Sequence, residues 1–310
     1  MMPRRTLLAA PALAGSARAQ APLSLSLATA TPGGGFPAYG AAFAAAVTAA
    51  DPTLIIEPRN TAGSLENVGL LAEGRVDLAL VAGDTAMTAL ASGAGTTLLF
   101  AMYAQPGLFG VRADNAARSI TELRGQRVAW GARGSGFVVL ARQVMTALGL
   151  DLERDFQGVL LDRAGDGPAM VMDGRVAALW GGGAGWPGFV TLAARPQGLR
   201  FIAPDAAERA RIIAADPKLR PMALPPGSYQ GQSAAIDSVG TWGLVLARPG
   251  LDEAVGYRLA AALHRARGDL GTRLAQASET TAENTAAAVS DPAVIHPGVR
   301  RFLRGLGLTA

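Results

Sequence analysis

The stretch NTAGSLENVGLLAEGRVDLALVAGD, residues 60–84, decides the fold. It opens with small hydroxyl and amide residues and continues as a short apolar pattern of helical spacing. It then reaches Gly74, a residue that ends helices readily because it adopts the left-handed conformation at little cost. An apolar strand pattern follows at once. We therefore predict a helix that leads directly into a buried strand, as in α/β sheets.

The polar residues at the mouth of this helix have two interpretations. Thr61, Ser64 and Asn67 would cap the helix, since hydroxyl and amide side chains accept hydrogen bonds from first-turn N–H groups. Alternatively, they and Gly63 would form a seat for a small anion at the helix N-terminus. The two roles are compatible, because a cap leaves further N–H groups open.

The same pattern occurs twice along the chain. AEGRVDLAL (residues 72–80) and MDGRVAALW (172–180) each end a predicted helix with an acid–glycine pair and begin a strand. Upstream of each copy the sequence predicts a strand, a Gly-rich break and a helix, in that order. The breaks are residues 31–36 and 131–137, and each lies at nearly the same distance before its acid–glycine pair. Two such units predict two α/β lobes.

Gly-rich turns after strands place backbone N–H groups at the carboxyl edge of a sheet, where ligands of open α/β proteins bind. Together with the helix dipole these N–H groups form an anion seat. Two lobes that face each other across such edges enclose a central ligand cleft, which closes by hinge motion.

We expect the first lobe to comprise residues 20–105 plus 247–310 and the second lobe residues 106–246, with a crossover near 103–106. A return strand at Gly243–Ala247 is expected to pair with the strand that begins at Leu108. Residues 252–267 and the segment after them are expected to return to the first lobe as helices.

Composition excludes several classes of function. The 310 residues include no cysteine, which rules out disulfides and thiolate chemistry, and only His264 and His296, which lie far apart in sequence. We expect no metal and no cofactor, and we expect His296 to cap or pack in the C-terminal segment. The net charge is only +4 and the arginines are scattered, so nucleic acid is not an expected partner.

Residues 1–19 are typical of an export signal: a basic start, a short apolar run and an Ala-x-Ala cleavage site at 17–19. Arg4-Arg5 leaves both the Tat and the Sec route open. No later apolar run reaches the length of about eighteen residues needed to span a bilayer. The expected location is the periplasm, and we expect a monomer that is not inserted in the membrane.

Several stretches, in this order, resemble one known family. They are Gly34-Gly35-Phe36-Pro37-Ala38-Tyr39, Thr61-Ala62-Gly63-Ser64-Leu65-Glu66-Asn67, Gly131 to Phe137, Gly182-Gly183-Ala184-Gly185-Trp186-Pro187, Pro225 to Gln232, and His296-Pro297-Gly298. The chain resembles the TAXI (TRAP-associated extracytoplasmic immunogenic) substrate-binding proteins of tripartite ATP-independent periplasmic (TRAP) transporters. The likeness covers nearly the whole chain after the export signal.

This resemblance implies a two-lobed type II periplasmic-binding-protein fold, no catalysis, capture of a small carboxylate and its delivery to TRAP membrane subunits. The chain departs from the family pattern at Ala82-Gly83-Asp84, Arg133 and Phe137, and it has Trp186 and Trp242 near Gly-rich turns or the return strand. These departures predict an organic or amino acid ligand with an apolar or aromatic portion.

The candidate ligand-binding residues follow from these turns and motifs. They are Gly34, Gly35, Phe36, Tyr39, Thr61, Gly63, Ser64, Asn67, Asp84, Arg133, Gly134, Ser135, Gly136, Phe137, Gly183 and Trp186. Arg133 has two interpretations, a solvated loop arginine or a fork that clamps a ligand carboxylate.

Two other functions stay open at this point. A sensory receptor would close over its ligand in the same way but dock on a periplasmic sensor domain. An exported hydrolase is the third alternative, although no G-x-S-x-G nucleophile elbow occurs.

Overall fold

The computed structural model describes residues 22–308, so the predicted export signal at 1–19 lies outside the described residues. The strands are β1 (Leu23–Ala28), β2 (Leu54–Arg59), β3 (Leu78–Ala82), β4 (Thr97–Pro106), β5 (Leu108–Arg112), β6 (Arg127–Ala132), β7 (Gln157–Leu161), β8 (Ala178–Gly181), β9 (Leu199–Ile202), β10 (Arg220–Leu224) and β11 (Ile236–Ala247). The helices are α1 (Gly35–Ala50), α2 (Ser64–Ala72), α3 (Gly83–Ala91), α4 (Gly136–Ala147), α5 (Gly167–Met172), α6 (Pro187–Ala193), α7 (Ala206–Ala215), α8 (Glu253–Arg273), α9 (Ala282–Ala287) and α10 (Pro297–Gly305).

The strands form two sheets with matching order. The first sheet contains β2-β1-β3-β11, with β4 and β10 also paired to β11, and the second runs β7-β6-β8-β5-β9. In each, a central strand pairs in parallel with two neighbours, and the next strand is antiparallel: β11 beside β3, and β5 beside β8. The prediction of two α/β units is confirmed.

The glycines of the repeated pattern have the predicted conformation. Gly74 follows α2 with φ +65° and Gly174 follows α5 with φ +78°, so both end their helices in the left-handed region. The strands β3 and β8 begin within a few residues of them. The Gly-rich breaks lead directly into α1 and α4, as the sequence predicts.

The predicted pairing of Gly243–Ala247 with the strand at Leu108 is wrong. These residues form the second half of β11 and pair with β3 and β4, whereas β5 pairs with β8 and β9. An apolar alternation shows that one face of a strand is buried but does not identify its neighbour. β10 and the first half of β11, which lie within 106–246, pair with each other as an extension of the first sheet. Their side chains Leu224 and Val239 are nevertheless buried in clusters with residues of the second sheet.

Each sheet has its own apolar core. Leu259 and Leu263 of α8 are buried in the cluster that contains Leu27 of β1, so α8 returns to the first sheet as predicted. In the second sheet Phe109 packs edge-on against Trp130 and Trp180, at ring-centroid distances of 5.5 and 4.8 Å. Within residues 22–308, no helix has both the length and the apolar character required to cross a bilayer.

His296 caps α10, which confirms its predicted role. Its Nδ1 accepts a hydrogen bond from the Gly298 N–H at 3.2 Å, and its Nε2 lies 3.0 Å from the Leu251 carbonyl oxygen. This arrangement requires a neutral ring with its proton on Nε2. The imidazole is buried, and burial lowers its pKa below the ordinary value of 6.5.

We expect the free energy of unfolding to fall as the pH drops below about 6.5, because the unfolded chain binds a proton there that the folded His296 does not. His296→Asn keeps a capping side chain and removes the titration, so its stability should depend less on pH in this range. Urea unfolding at about pH 7.5 and 5.5 measures the difference, with His264→Asn as the matched control. An unchanged pH slope in His296→Asn contradicts the assignment.

Candidate functional site

A cavity of about 50 Å³ lies between the two lobes, at the carboxyl edges of both sheets. The predicted residues that line it are Gly34, Gly35, Phe36, Gly63, Ser64, Ser135, Gly136, Phe137 and Trp186. They come from the Gly-rich turns and helix starts of both lobes. The carboxyl edges of the two sheets, where the sequence predicts the Gly-rich turns, therefore face each other and share one cavity.

Three helix N-termini supply backbone donors to this cavity. The helices α1, α2 and α4 all begin at its wall, and first-turn N–H groups have no partner within their own helix. Each helix N-terminus also carries a partial positive charge. No charged side chain belongs to the lining that the described residues form. The favourable potential for an anion thus comes from main-chain dipoles.

Glycines allow the lobes to meet backbone to backbone. A Cβ on Gly134 would lie 2.7 Å from the Ala62 carbonyl oxygen, and one on Gly63 would lie 2.8 Å from that of Gly134. At the other end of the cleft, a Cβ on Gly33 would lie 2.4 Å from Gly165 Cα. No side chain fits at these contacts, so both lobes approach as closely as their backbones permit.

Hydrogen bonds cross the cleft at the same places. The Gly165 N–H donates to the Pro32 carbonyl at 3.2 Å, and the Ala164 N–H donates to Thr31 Oγ1 at 3.1 Å. The Leu65 N–H points at the Gly134 carbonyl at 3.5 Å. The structure is therefore a closed form of the two lobes.

The predicted capping of α2 by side chains is wrong. Its N-cap is Gly63, which has φ +121° and offers no side chain. The Ser64 hydroxyl instead accepts the Ala82 N–H at 3.0 Å and so ties α2 to the end of β3. In the second lobe, Ser135 does cap α4, by accepting the Phe137 N–H at 3.1 Å. Each serine keeps its hydroxyl proton for another acceptor.

Asn67, which is buried, and Thr61, which is half-buried, support α2 and are not part of the cavity lining. Asn67 Nδ2 donates to the carbonyls of Thr29 at 2.8 Å and Leu80 at 2.7 Å. Thr61 Oγ1 donates to Asn67 Oδ1 at 2.7 Å. The amide thus joins the helix to the residue after β1 and to the middle of β3, which fixes the position of its N-terminus.

Tyr39, Asp84 and Arg133 do not belong to the cavity lining. Tyr39 is fully buried with its hydroxyl 3.2 Å from Thr280 Oγ1, and burial raises the pKa of Tyr39. Asp84 lies 3.1 Å from Lys218 Nζ and lines a separate groove of about 690 Å³. The Arg133 side chain is 70% exposed, and its Nε lies 3.7 Å from Asp162.

Gly134 and Gly183 act through their backbones. Gly134 forms the contact with Ala62 and Gly63 across the cleft. Gly183 has φ +89°, and its carbonyl accepts a hydrogen bond from the Tyr229 hydroxyl. The same hydroxyl accepts the Trp186 N–H at 2.8 Å, so Tyr229 fixes the turn that carries Trp186.

Aromatic side chains form the apolar wall of the cavity. Trp186 is 5% exposed and lies against Phe137, with ring centroids 6.3 Å apart. Trp180 donates from Nε1 to the Phe137 carbonyl at 2.9 Å. The sequence did not predict Tyr103 and Trp180 as lining residues. The one available signal for Tyr103 was its position in the predicted crossover.

Metal ligands are not grouped in the part of the chain that the structure describes. No cluster of three or more His, Asp or Glu side chains suited to a metal ion occurs between residues 22 and 308. The site offers hydrogen-bond donors and apolar contact surface for an organic ligand.

The structure has two lobes of matched strand order with a cleft between them, and the chain crosses between the lobes at β4–β5 and again along β11. This is the two-lobed type II fold of periplasmic solute-binding proteins. The chain belongs to the NMT1-like family, whose model matches residues 27–307. No curated protein matches the sequence.

Solved structures share this fold at low sequence identity. A protein from Bordetella bronchiseptica RB50 is 14% identical with a TM-score of 0.56, and the match covers 92% of this chain and 98% of that one. A Xanthomonas citri protein solved bound to ATP is 17% identical with a TM-score of 0.51, over 91% and 95% of the two chains. The substrate-binding protein of an amino acid ABC transporter is 10% identical with a TM-score of 0.50, over 82% and 98%.

Gly134→Ala should prevent full closure, because its Cβ would lie 2.7 Å from a backbone oxygen that cannot move independently. We expect a larger radius of gyration by small-angle X-ray scattering and a free energy of unfolding changed by less than about 1 kcal/mol. Gly69→Ala is the matched control, since a Cβ there meets nothing within 4 Å. Equal radii for Gly134→Ala and wild type contradict the role of the glycine contact.

Proposed function

We propose that this protein is a periplasmic receptor that captures a small organic acid between its lobes and delivers it to the membrane subunits of a TRAP-type transporter. The observation that carries the proposal is the convergence of three helix N-termini on one cavity without a charged side chain. A carboxylate fits this environment, because main-chain N–H groups stabilise an anion at a helix N-terminus. The family membership and the shared fold agree with a binding role.

The ligand-binding residues that we propose are those of the cavity wall. Main-chain N–H groups near Gly35, Ser64 and Gly136 would bind the carboxylate, and the Ser64 and Ser135 hydroxyls would donate to it. Arg133 would not be needed, since its side chain is exposed and lies beside Asp162.

The shape of the cavity favours a small ligand with a short apolar portion. At about 50 Å³ it is smaller than the cavity of about 150 Å³ that holds benzene. Phe36, Phe137 and Trp186 provide its apolar surface. A larger acid would be held with the lobes slightly further apart, which hinge motion permits.

The transport partner and the location are proposed from the resemblance to the TAXI proteins and from the export signal. Closure would change the outer surface of both lobes together, so membrane subunits would recognise the loaded form. We also propose the lobe limits 20–105 plus 247–310 and 106–246, with β4–β5 and β11 as the crossings. The proposal assigns no catalytic step to the site.

Small acids should raise the melting temperature, because a ligand that binds only the folded state stabilises it by about 2.7 kcal/mol at a hundredfold excess over Kd. A screen of straight-chain and aryl-substituted monocarboxylates tests this, with the corresponding neutral amides as matched compounds. Acids should shift the transition, and amides should do so less.

Gly136→Ala provides the site control, since its Cβ would lie 2.2 Å from Ala82 Cβ and occupy the seat. We expect this variant to lose the shift. Absence of any acid-induced shift in the wild type, or an equal shift in Gly136→Ala, contradicts the proposed function.

A further inference from the structure

An ion pair outside the ligand cavity joins the two lobes. Lys218 Nζ lies 3.1 Å from Asp84 Oδ1. Asp84 belongs to the first turn of α3, and Leu90 of the same helix is buried in the core of the first sheet. Lys218 precedes Leu219, which is buried in the core of the second sheet. The pair therefore connects two segments that are anchored in different cores.

Each partner is attached to one wall of the ligand cavity. Asp84 comes shortly after Ala82, the last residue of β3, which lines the cavity. On the other side, the Lys218 N–H donates to Asp216 Oδ1 at 3.1 Å, and Gln143 Nε2 of α4 donates to Asp216 Oδ2 at 3.0 Å. The helix α4 begins at the opposite cavity wall. We therefore expect a rotation that separates the walls to move the two charges apart.

The other ion pairs do not connect the lobes. With the lobe limits proposed above, each of the other ion pairs formed within residues 22–308 joins two residues of the same lobe. Arg258 and Asp51, for example, join α8 to the segment before β2 inside the first lobe. In the described part of the chain, Asp84 and Lys218 thus form the one ion pair that bridges the two lobes.

The two partners differ in burial, which gives the pair a direction of effect. Asp84 is half-buried, and its Oδ1 is buried and accepts no hydrogen bond of regular geometry from the described residues. The Lys218 side chain is 62% exposed and supplies the nearby positive charge. A buried carboxylate oxygen without such a partner is unfavourable. Loss of the ammonium should therefore destabilise the closed form more than an open form in which water reaches the oxygen.

The position of the pair separates it from ligand recognition. Asp84 and Lys218 line the groove of about 690 Å³, together with Thr241 and Trp242 of β11, one of the crossings between the lobes. Neither charged residue lines the ligand cavity. The pair is thus placed to affect the position of the lobes without a contact to the ligand.

We propose that the Asp84–Lys218 ion pair is a latch that keeps part of the ligand-free protein in the closed form. The latch opposes the mutual repulsion of the helix N-termini that surround the cavity. This inference goes beyond the proposed function, because it concerns the protein without ligand and applies whatever the cavity binds.

The test measures the distance between two spin labels in the ligand-free protein. The chain has no cysteine, so Ala72→Cys and Ala194→Cys place one label at an exposed position of each lobe. Pulsed electron double resonance of the otherwise unchanged protein should show a population at the distance of the closed structure. Lys218→Met and Asp84→Asn should each lower the ratio of closed to open form about two- to fivefold, the range expected for a partly exposed ion pair.

Three comparisons separate the latch from a general loss of charge. Arg220→Met is the matched control: Arg220 lines the same groove but forms no ion pair with the described residues, so the ratio should not change. Lys218→Arg keeps the positive charge and should keep the closed population. The double variant Asp84→Asn with Lys218→Met should be no more open than either single variant, because both act through one interaction.

Salt provides an independent readout. Because Lys218 is exposed, about 1 M salt should screen the pair and bring the ratio of the unchanged protein close to that of Lys218→Met. The melting temperatures of the variants check that each is folded.

Several outcomes overturn the latch. They are an unchanged ratio in Lys218→Met, an equal fall in Arg220→Met, additive effects in the double variant, and a ligand-free protein without a closed population. The proposed function fails by a different observation, the absence of an acid-induced shift in melting temperature. Because the distance measurement uses no ligand, failure of one proposal leaves the other testable.

Discussion

Close contact between glycine backbones at both ends of the cleft determines how near the two lobes come to each other. Gly63 and Gly134 meet at one end and Gly33 and Gly165 at the other, with no room for a Cβ at Gly33, Gly63 or Gly134. Larger residues would keep the lobes apart and leave the space between them continuous with solvent. The shared cavity therefore depends on main-chain contact, and side chains contribute its walls only after that contact is made.

This closure brings like partial charges together. The N-termini of α1, α2 and α4 surround one small space, and no acidic side chain belongs to the described lining. Their positive ends repel one another and so weaken the closed form that the backbone contacts hold, and an anion between them reverses the sign of the interaction. A ligand with this charge therefore binds the closed form more strongly than the open one, which is the condition for a ligand to shift a conformational equilibrium.

The Gly-rich turns at the carboxyl edges of the sheets were predictable from local chemistry, whereas the partners of individual side chains were not. Gly74 and the Gly-rich turns were recognised because their backbone requirements are local. The roles of Asn67 and Arg133 depend on where side chains point: the first is directed to two carbonyls beneath α2, and the second into solvent. Tyr103 was missed because it reaches the cavity from a crossing strand. The neighbours of β11 depend on topology, which a single strand pattern does not contain.

The two crossings are joined to each other, which bears on how the lobes move. The Gly107 N–H, between β4 and β5, donates to the Val239 carbonyl of β11 at 2.9 Å, and the Ser238 hydroxyl donates to the Gly107 carbonyl at 2.6 Å. Strands linked in this way are expected to bend together, so we expect closure to be a rigid-body rotation about one hinge. Tyr103 and Gln105 lie on β4 just before this hinge. A ligand that contacts Tyr103 thus binds beside the hinge, and its contacts with the helix N-termini lie at the carboxyl edges of the sheets. Both sets of contacts favour the same closed arrangement.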